Sequence, residues 1–149
     1  MLNPDYAEML SIFTDHEVAF LMVGAYAMAG HGFPRATGDM DLWVEPTPEN
    51  AARVYDALVE FGAPSDHFTK EDFGIAGTLL QIGVEPRRID IITAIDGVVF
   101  AEAWNNREEV ELDGVVFPVL SMADLITNKR ATGRKQDALD AEWLEAGGR

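Results

Sequence analysis

Residues 32–46, GFPRATGDMDLWVEP, contain two aspartates one residue apart, Asp39 and Asp41, directly before the apolar run Leu-Trp-Val. This run predicts a buried strand that stops at Pro46. Side chains at i and i+2 of a strand share a face, so the two carboxylates would lie about 6 to 7 Å apart at the level of the backbone. Two anions at this spacing repel each other unless a cation lies between them.

A divalent cation would relieve this repulsion. Mg²⁺ takes carboxylate oxygens, keeps several waters and completes its shell with substrate phosphates, so the pair predicts a magnesium-phosphate site. The alternative is a solvated strand edge with only Asp41 in the sheet, because a short acidic motif has many chance matches. Trp43 is expected to be a core residue on the opposite face of the strand.

Two further features favour the phosphate site. Gly24 lies where a buried strand turns into a small-residue helix, which directs free backbone N–H groups and a positive helix end at a phosphate. Asp90 lies in the otherwise apolar stretch RIDIIT, where a carboxylate needs a partner or a metal. Pairing of Asp90 with Arg88 or Arg87 is the alternative.

Apolar spacing and capping residues predict the remaining elements. Helices are expected over 4–14, 25–32, 48–61, 98–106, 121–132 and 136–146, and strands over 17–24, 39–46, 78–84, 87–93 and both arms of a hairpin in 108–120. This order indicates an α/β or α+β sheet with helices packed on it. A length of 149 residues suits a single domain, 1–149.

Composition and net charge argue against several classes of protein. The longest apolar run, 18–30, is shorter than the roughly 20 residues of a membrane span, and a chain without cysteine is expected to be cytoplasmic. A formal net charge of -15 opposes broad binding of nucleic acid, so a polyanionic partner would need a local basic patch. The candidate patch is NKRATGRK, residues 128–135.

The stretch FLMVGAYAMAGHGFPRATGDMDLWVEP resembles the signature of the DNA polymerase beta-like nucleotidyltransferase superfamily, in which a Gly-Gly or Gly-Ser turn precedes a D-x-D pair and a third acid follows. HG followed by RATGDMDLWV, and the late LITNKRATGRKQDALD, resemble small bacterial members related to AbiEii-type toxins of toxin-antitoxin pairs. The likeness extends from about Phe20 to Leu144. Ala25 departs from the usual Gly or Ser and offers no hydroxyl to a phosphate.

The resemblance implies a minimal nucleotidyltransferase fold, a mixed β-sheet flanked by helices with two C-terminal helices. It implies an enzyme that transfers a nucleoside monophosphate from a nucleoside triphosphate to a hydroxyl and releases pyrophosphate. Asp39 and Asp41 would ligate Mg²⁺, with Mn²⁺ as a substitute, and Asp90 would complete a two-ion site. Asp90 alternatively takes the proton itself. The acceptor stays open between tRNA, a protein and a small molecule.

Candidate phosphate-binding residues lie on both sides of the acids: Gly24, Ala25, Arg35, Thr37, Lys129 and Arg134. The alternative for Arg35 and Thr37 is a loop hydrogen-bond network, and for the late pair it is a solvated basic turn. Asp137 and Asp140, one helical turn apart, are expected to pair with those bases.

Two other functions remain open at this stage. One is a non-catalytic or regulatory module that binds a partner protein, such as an antitoxin. The other is a drug-modifying adenylyltransferase, against which the lack of an extra substrate-binding domain counts.

Overall fold

The structure, a computed structural model, describes residues 2–147. The helices are α1 (Pro4–Asp15), α2 (Gly24–Gly30), α3 (Pro48–Phe61), α4 (Phe100–Asn105), α5 (Met122–Ala131) and α6 (Lys135–Glu145). The strands are β1 (Phe20–Val23), β2 (Asp39–Val44), β3 (Leu79–Ile82), β4 (Arg88–Ile92), β5 (Glu108–Leu112) and β6 (Val115–Val119). Two short 3₁₀ helices, Ser65–His67 and Glu71–Gly74, were not predicted.

The six strands form one mixed sheet in the order β3-β4-β2-β1-β6-β5. β2 runs parallel to β4 and β1 runs parallel to β6, whereas the other neighbours are antiparallel. The predicted mixed sheet with flanking helices and two C-terminal helices is therefore confirmed. Among residues 2–147, no helix is both long and apolar enough to cross a membrane.

Local sequence signals account for the helix that follows β2. The hydroxyl of Thr47 accepts a hydrogen bond from the Asn50 amide, and Pro48 occupies the first turn, where its missing N–H costs nothing. Gly62 ends α3 in the left-handed conformation at φ 96°. The predicted bounds 48–61 are confirmed because capping residues at both ends agree with the apolar spacing.

The structure places Trp43 on a different face of β2 from the one predicted. Asp39, Asp41 and Trp43 occupy alternate positions of β2, so the tryptophan lies on the same face as the acids. It is nonetheless buried, and it packs edge-on against Phe100 with ring centroids 5.0 Å apart. Its assignment to the core was right, and the face assigned to it was wrong.

Tyr6 fixes the points where β2 and β4 begin. The ring is fully buried, and its hydroxyl donates to the carbonyl of Arg88 at 2.9 Å, with the carbonyls of Gly38 and Pro86 at 3.3 Å. Burial raises the pKa of the Tyr6 hydroxyl to about 12, and nearby Tyr26 acts in the same direction. The hydroxyl therefore stays protonated and remains a donor.

Replacing Tyr6 with Phe removes this donor and leaves buried carbonyls without it. We expect a loss of about 1 to 3 kcal/mol in the free energy of unfolding, the cost of an unsatisfied buried polar group. Chemical denaturation of the parent and of Tyr6→Phe measures this loss. Tyr55→Phe is the control, because the half-buried Tyr55 hydroxyl has no hydrogen bond within residues 2–147. Equal losses in both variants would contradict the role given to Tyr6.

Candidate active site

Three aspartates meet where β2 and β4 run side by side. The parallel pairing sets Asp41 opposite Asp90, and Asp39 precedes Asp41 on the same face of β2. One carboxylate oxygen from each residue lies within 4.8 Å of the other two. Asp90 is buried and the other two are half-buried. An acid at the middle of an apolar strand thus joins a pair from another part of the chain.

Arg88 lies between two of these acids. Its Nη2 donates to Asp39 Oδ2 at 2.6 Å, and its Nε donates to Asp90 Oδ1 at 3.0 Å. The alternative considered for Asp90, pairing with a neighbouring arginine, is therefore present within the acid cluster itself. Hydrogen bonds to Asp90 and to Asp39 raise the pKa of the Arg88 guanidinium, so the cation is retained.

Asp41 is the acid of this cluster that Arg88 does not contact. No ion pair to Asp41 exists within residues 2–147. Burial raises the pKa of Asp41 to about 7, and the charges of Asp39 and Asp90 push it in the same direction. Oxygen ligands on three adjacent carboxylates form the donor set that Mg²⁺ and Mn²⁺ take. The residues present therefore fit a divalent cation.

Thr37 holds one of the candidate ligands in place. Its hydroxyl donates to Asp39 Oδ1 at 2.9 Å, while the Asp39 amide lies 3.3 Å from the same hydroxyl. The carboxylate of Asp39 is thus oriented from the loop on one side and by Arg88 on the other. These contacts agree with the alternative given for Thr37, a hydrogen-bond network within the loop.

Gly24 brings the turn between β1 and α2 against the acid cluster. Its backbone is left-handed, with φ 71°, and a Cβ built at this position would overlap the Asp41 carboxylate. Only glycine satisfies both constraints. Gly24, Ala25 and Asp41 line one wall of a cavity of about 360 Å³.

The basic residues expected near phosphate line another part of the cavity, called the basic wall here. Arg35 precedes β2, Lys129 belongs to α5 and Arg134 precedes α6, and all three line the cavity with Asp137 and Asp140. Lys129 Nζ lies 3.5 Å from Asp137 Oδ1 and 3.3 Å from Asp140 Oδ2. Arg134 Nε lies 3.2 Å from Asp137 Oδ2. The expected pairing of these acids with the nearby bases is confirmed.

Asp140 is the centre of this wall. The buried carboxylate accepts hydrogen bonds from Arg35, Gln136 and Lys129. Burial acts to raise the pKa of Asp140, but the hydrogen bonds from Arg35 and Gln136 and the charge of Lys129 outweigh it, so the pKa lies below its usual value. Arg35 connects the loop ahead of the acids to α6, a link that helical spacing does not reveal.

The cavity thus brings together most of the residues singled out from the sequence. Gly24, Ala25, Arg35, Asp41, Lys129 and Arg134 line it, whereas Thr37, Asp39 and Asp90 lie outside the lining. Among the lining residues that sequence reasoning missed are Ile95 and Asp96 on the loop after β4 and Asn128 on α5. Asn128 donates to the Asp96 carbonyl at 2.9 Å. No spacing signal links these two elements.

Relationships to known proteins identify the class of this protein. The chain belongs to the family described as nucleotidyl transferase of unknown function (DUF2204), which matches residues 3–146. No curated protein sequence matches the chain. Family and fold together make the protein a nucleotidyltransferase.

Two solved structures share this fold. A candidate nucleotidyltransferase from Thermotoga maritima superposes with a TM-score of 0.63 at 18% identity, covering 98% of this chain and 96% of that one. The antibiotic-resistance factor ANT(2'')-Ia superposes with a TM-score of 0.60 at 12% identity, covering 94% of this chain and 80% of that one. At these identities the similarity shows the fold.

Replacing Asp140 with Asn tests the basic wall, because it leaves two cations facing a neutral buried group. We expect a loss of about 3 to 5 kcal/mol in the free energy of unfolding at pH 7, as for other broken buried pairs. Denaturant titration measures it. The control is Glu145→Gln, which breaks the exposed pair with Arg130 and should cost under about 1 kcal/mol. Similar losses in both variants would contradict the buried network.

The loss of stability caused by Asp140→Asn is expected to depend on pH. The pKa of Asp140 is lowered in the folded state, so its stabilisation is complete above the unfolded value of about 3.9 and is lost as the pH falls through the lower folded value. The stability difference between the parent and Asp140→Asn should therefore shrink below about pH 4. Denaturation at a series of pH values measures this difference, and a gap that widens on acidification would contradict it.

Gly24→Ala tests the close approach to Asp41. The left-handed backbone alone costs alanine about 1 to 2 kcal/mol. Gly32→Ala is the matched control, since Gly32 also has positive φ, 91°, but a Cβ there meets no atom within 4 Å. We expect Gly24→Ala to lose clearly more stability than Gly32→Ala, because the Asp41 carboxylate must move. Equal melting temperatures for the two variants would show that the contact is unimportant.

Proposed function

We propose that the protein is a Mg²⁺-dependent enzyme that transfers a nucleoside monophosphate from a nucleoside triphosphate to a hydroxyl and releases pyrophosphate. One observation carries this proposal. The Asp41 carboxylate has two other aspartate oxygens within 4.8 Å, lies against the Gly24 turn and lines a cavity together with basic residues. This arrangement offers one wall to a cation and the other to phosphates.

In the proposed reaction Asp39 and Asp41 hold the divalent ion, and Asp90 either joins them or accepts the proton of the attacking hydroxyl. When bound, the ion supplies charge stabilisation to the α-phosphate undergoing in-line displacement. Thr37 orients Asp39 through the hydrogen bond described above.

The triphosphate tail is assigned to the basic wall. Arg35, Lys129 and Arg134 supply three positive charges, and Asp137 and Asp140 pair with them. The backbone at Gly24 and Ala25, also in the cavity lining, allows close approach of a phosphate. The two acids hold the basic side chains in fixed positions, so little conformational entropy is lost when phosphate binds.

A small-molecule or protein hydroxyl is proposed as the acceptor in preference to tRNA. The basic patch 128–135, which a polyanion would need, is largely compensated by its own acids. Lys129 pairs with Asp137 and Asp140, Arg134 pairs with Asp137, and Arg130 pairs with Glu145. With a formal net charge of -15 on the chain, little attraction for a phosphate backbone remains.

The resemblance to AbiEii-type toxins suggests that the activity serves in a toxin-antitoxin pair in the cytoplasm, with the modified molecule as the target. A drug-modifying adenylyltransferase is the related alternative with a small-molecule acceptor. The complete acid trio favours catalysis over a purely partner-binding role.

Label transfer tests the acceptor class. The protein is incubated with Mg²⁺, each α-labelled triphosphate and a cell lysate, which is then separated into RNA, protein and small-molecule fractions. We expect label in the protein or small-molecule fraction. Label confined to RNA would contradict the acceptor proposed here while leaving nucleotidyl transfer itself supported.

Asp41→Asn tests the metal-phosphate site. We expect it to abolish Mg²⁺-dependent triphosphate binding in calorimetry. In metal-free buffer it should melt at the same temperature as the parent or slightly higher, because one of three repelling charges is gone. Asp56→Asn, which changes an exposed acid of α3, is the control and should bind like the parent. Unchanged triphosphate binding by Asp41→Asn would overturn the proposed function.

A further inference from the structure

We propose that Arg88 is a built-in counterion of the acid trio that competes with divalent cations for Asp39 and Asp90. The site then takes one ion tightly and a second only when the guanidinium leaves. This inference rests on the proposed function, and it departs from the two-ion site that the sequence resemblance implies.

The contacts of Arg88 carry the first step. One guanidinium bridges the two acids, with Nη2 at 2.6 Å from Asp39 and Nε at 3.0 Å from Asp90. A second contact to Asp90, from Nη2 to Oδ2, measures 3.4 Å. Arg88 therefore occupies oxygen atoms on two of the three residues that a pair of metal ions would need.

The charge balance carries the second step. Three carboxylates contribute three negative charges and Arg88 contributes one positive charge, so one divalent ion neutralises the cluster. A second divalent ion would leave it with two surplus positive charges while Arg88 stays in place. In a half-buried site such a surplus is costly, because charges separated by a few ångströms interact strongly at reduced dielectric.

The Arg88 guanidinium has a further carboxylate nearby, that of Glu85, toward which it can move. Its backbone is fixed, because its carbonyl accepts the Tyr6 hydrogen bond and its Cα pairs with Asp39 across the strands. Its side chain is 28% exposed, and Glu85 Oε1 lies 3.9 Å from Nη1. The head group can thus shift toward Glu85 without disturbing β4.

Arg88 is therefore a positioning residue. While it bridges Asp39 and Asp90, it keeps Asp90 from accepting a metal ion or a proton. Its displacement frees both oxygens of Asp90 for either task. The resting site would hold one ion, and completion of the site would require Arg88 to move.

Manganese binding tests this inference. Mn²⁺ is titrated into the full chain and the free ion is counted by electron paramagnetic resonance, for the parent, Arg88→Met and Arg87→Met. Arg87 is the matched control because it is the adjacent arginine and forms an exposed pair with Asp5 at 3.6 Å. We expect one tightly bound Mn²⁺ in the parent and in Arg87→Met. Arg88→Met should bind two, with the first at least tenfold tighter.

Melting in metal-free buffer adds a readout that does not depend on ion counting. Arg88→Met should melt below Arg87→Met, because three acids are left without their counterion, and saturating Mn²⁺ should raise it more than the control. Arg88→Lys keeps the charge but cannot bridge two carboxylates with a planar fork, so it should lie between the parent and Arg88→Met.

Two results overturn the inference. Equal numbers of Mn²⁺ ions and equal affinities in the parent and Arg88→Met would show that Arg88 does not compete, and the proposed function would stand. If neither protein bound Mn²⁺, the metal-dependent function would fail, and this inference would fail with it.

Discussion

The parallel pairing of β2 with β4 forces like charges together, because it places Asp41 beside Asp90 and leaves Asp39 one step along the same face. Two unit charges 4 Å apart near a protein surface repel by about 4 kcal/mol, so a cluster of three is stable only if something compensates it. Within the chain, Arg88 compensates two of the acids and Thr37 orients one. The remaining demand for positive charge is centred on Asp41.

The basic wall of the cavity has the reverse electrostatic problem, because it brings positive charges together. Arg35, Lys129 and Arg134 would be dispersed by mutual repulsion if Asp137 and Asp140 did not lie among them. The acids of α6 hold these cations at the cavity. A triphosphate bridging the two walls would meet a cation site on one side and fixed positive groups on the other. Both walls depend on contacts between segments that are distant in sequence.

Much of the fold follows from local signals. Capping residues around α3, the hairpin predicted in 108–120 and the stop at Pro46 agree with the observed elements because each signal acts within a few residues. The segment of the two 3₁₀ helices lacks a repeating apolar pattern, so it was missed. For Trp43, the alternation of side chains along a strand is sufficient to predict the correct face, which is that of Asp39 and Asp41. The prediction of the opposite face misapplied this rule.

The contacts of the site also divide into those that local sequence predicts and those that depend on tertiary packing. Spacing along one strand predicted the Asp39–Asp41 pair, and closeness in sequence predicted the pairing of Lys129 with the acids of α6. The Arg35–Asp140 link spans 105 residues and depends on how α6 packs, which no local pattern encodes. Arg88 was recognised as a possible partner of Asp90, but its bridge to Asp39 depends on the register between β2 and β4.

The central claim is that the acid trio and the Gly24 turn bind a metal-triphosphate complex. The most direct test is a crystal of the protein grown with Mn²⁺ and a non-hydrolysable triphosphate, with anomalous diffraction recorded at the manganese edge. The account predicts an anomalous peak in contact with the carboxylates of Asp39 and Asp41, with phosphate oxygens between that peak and the wall of Lys129 and Arg134. A peak elsewhere on the surface, with Asp41 in contact with neither metal nor phosphate, would contradict it.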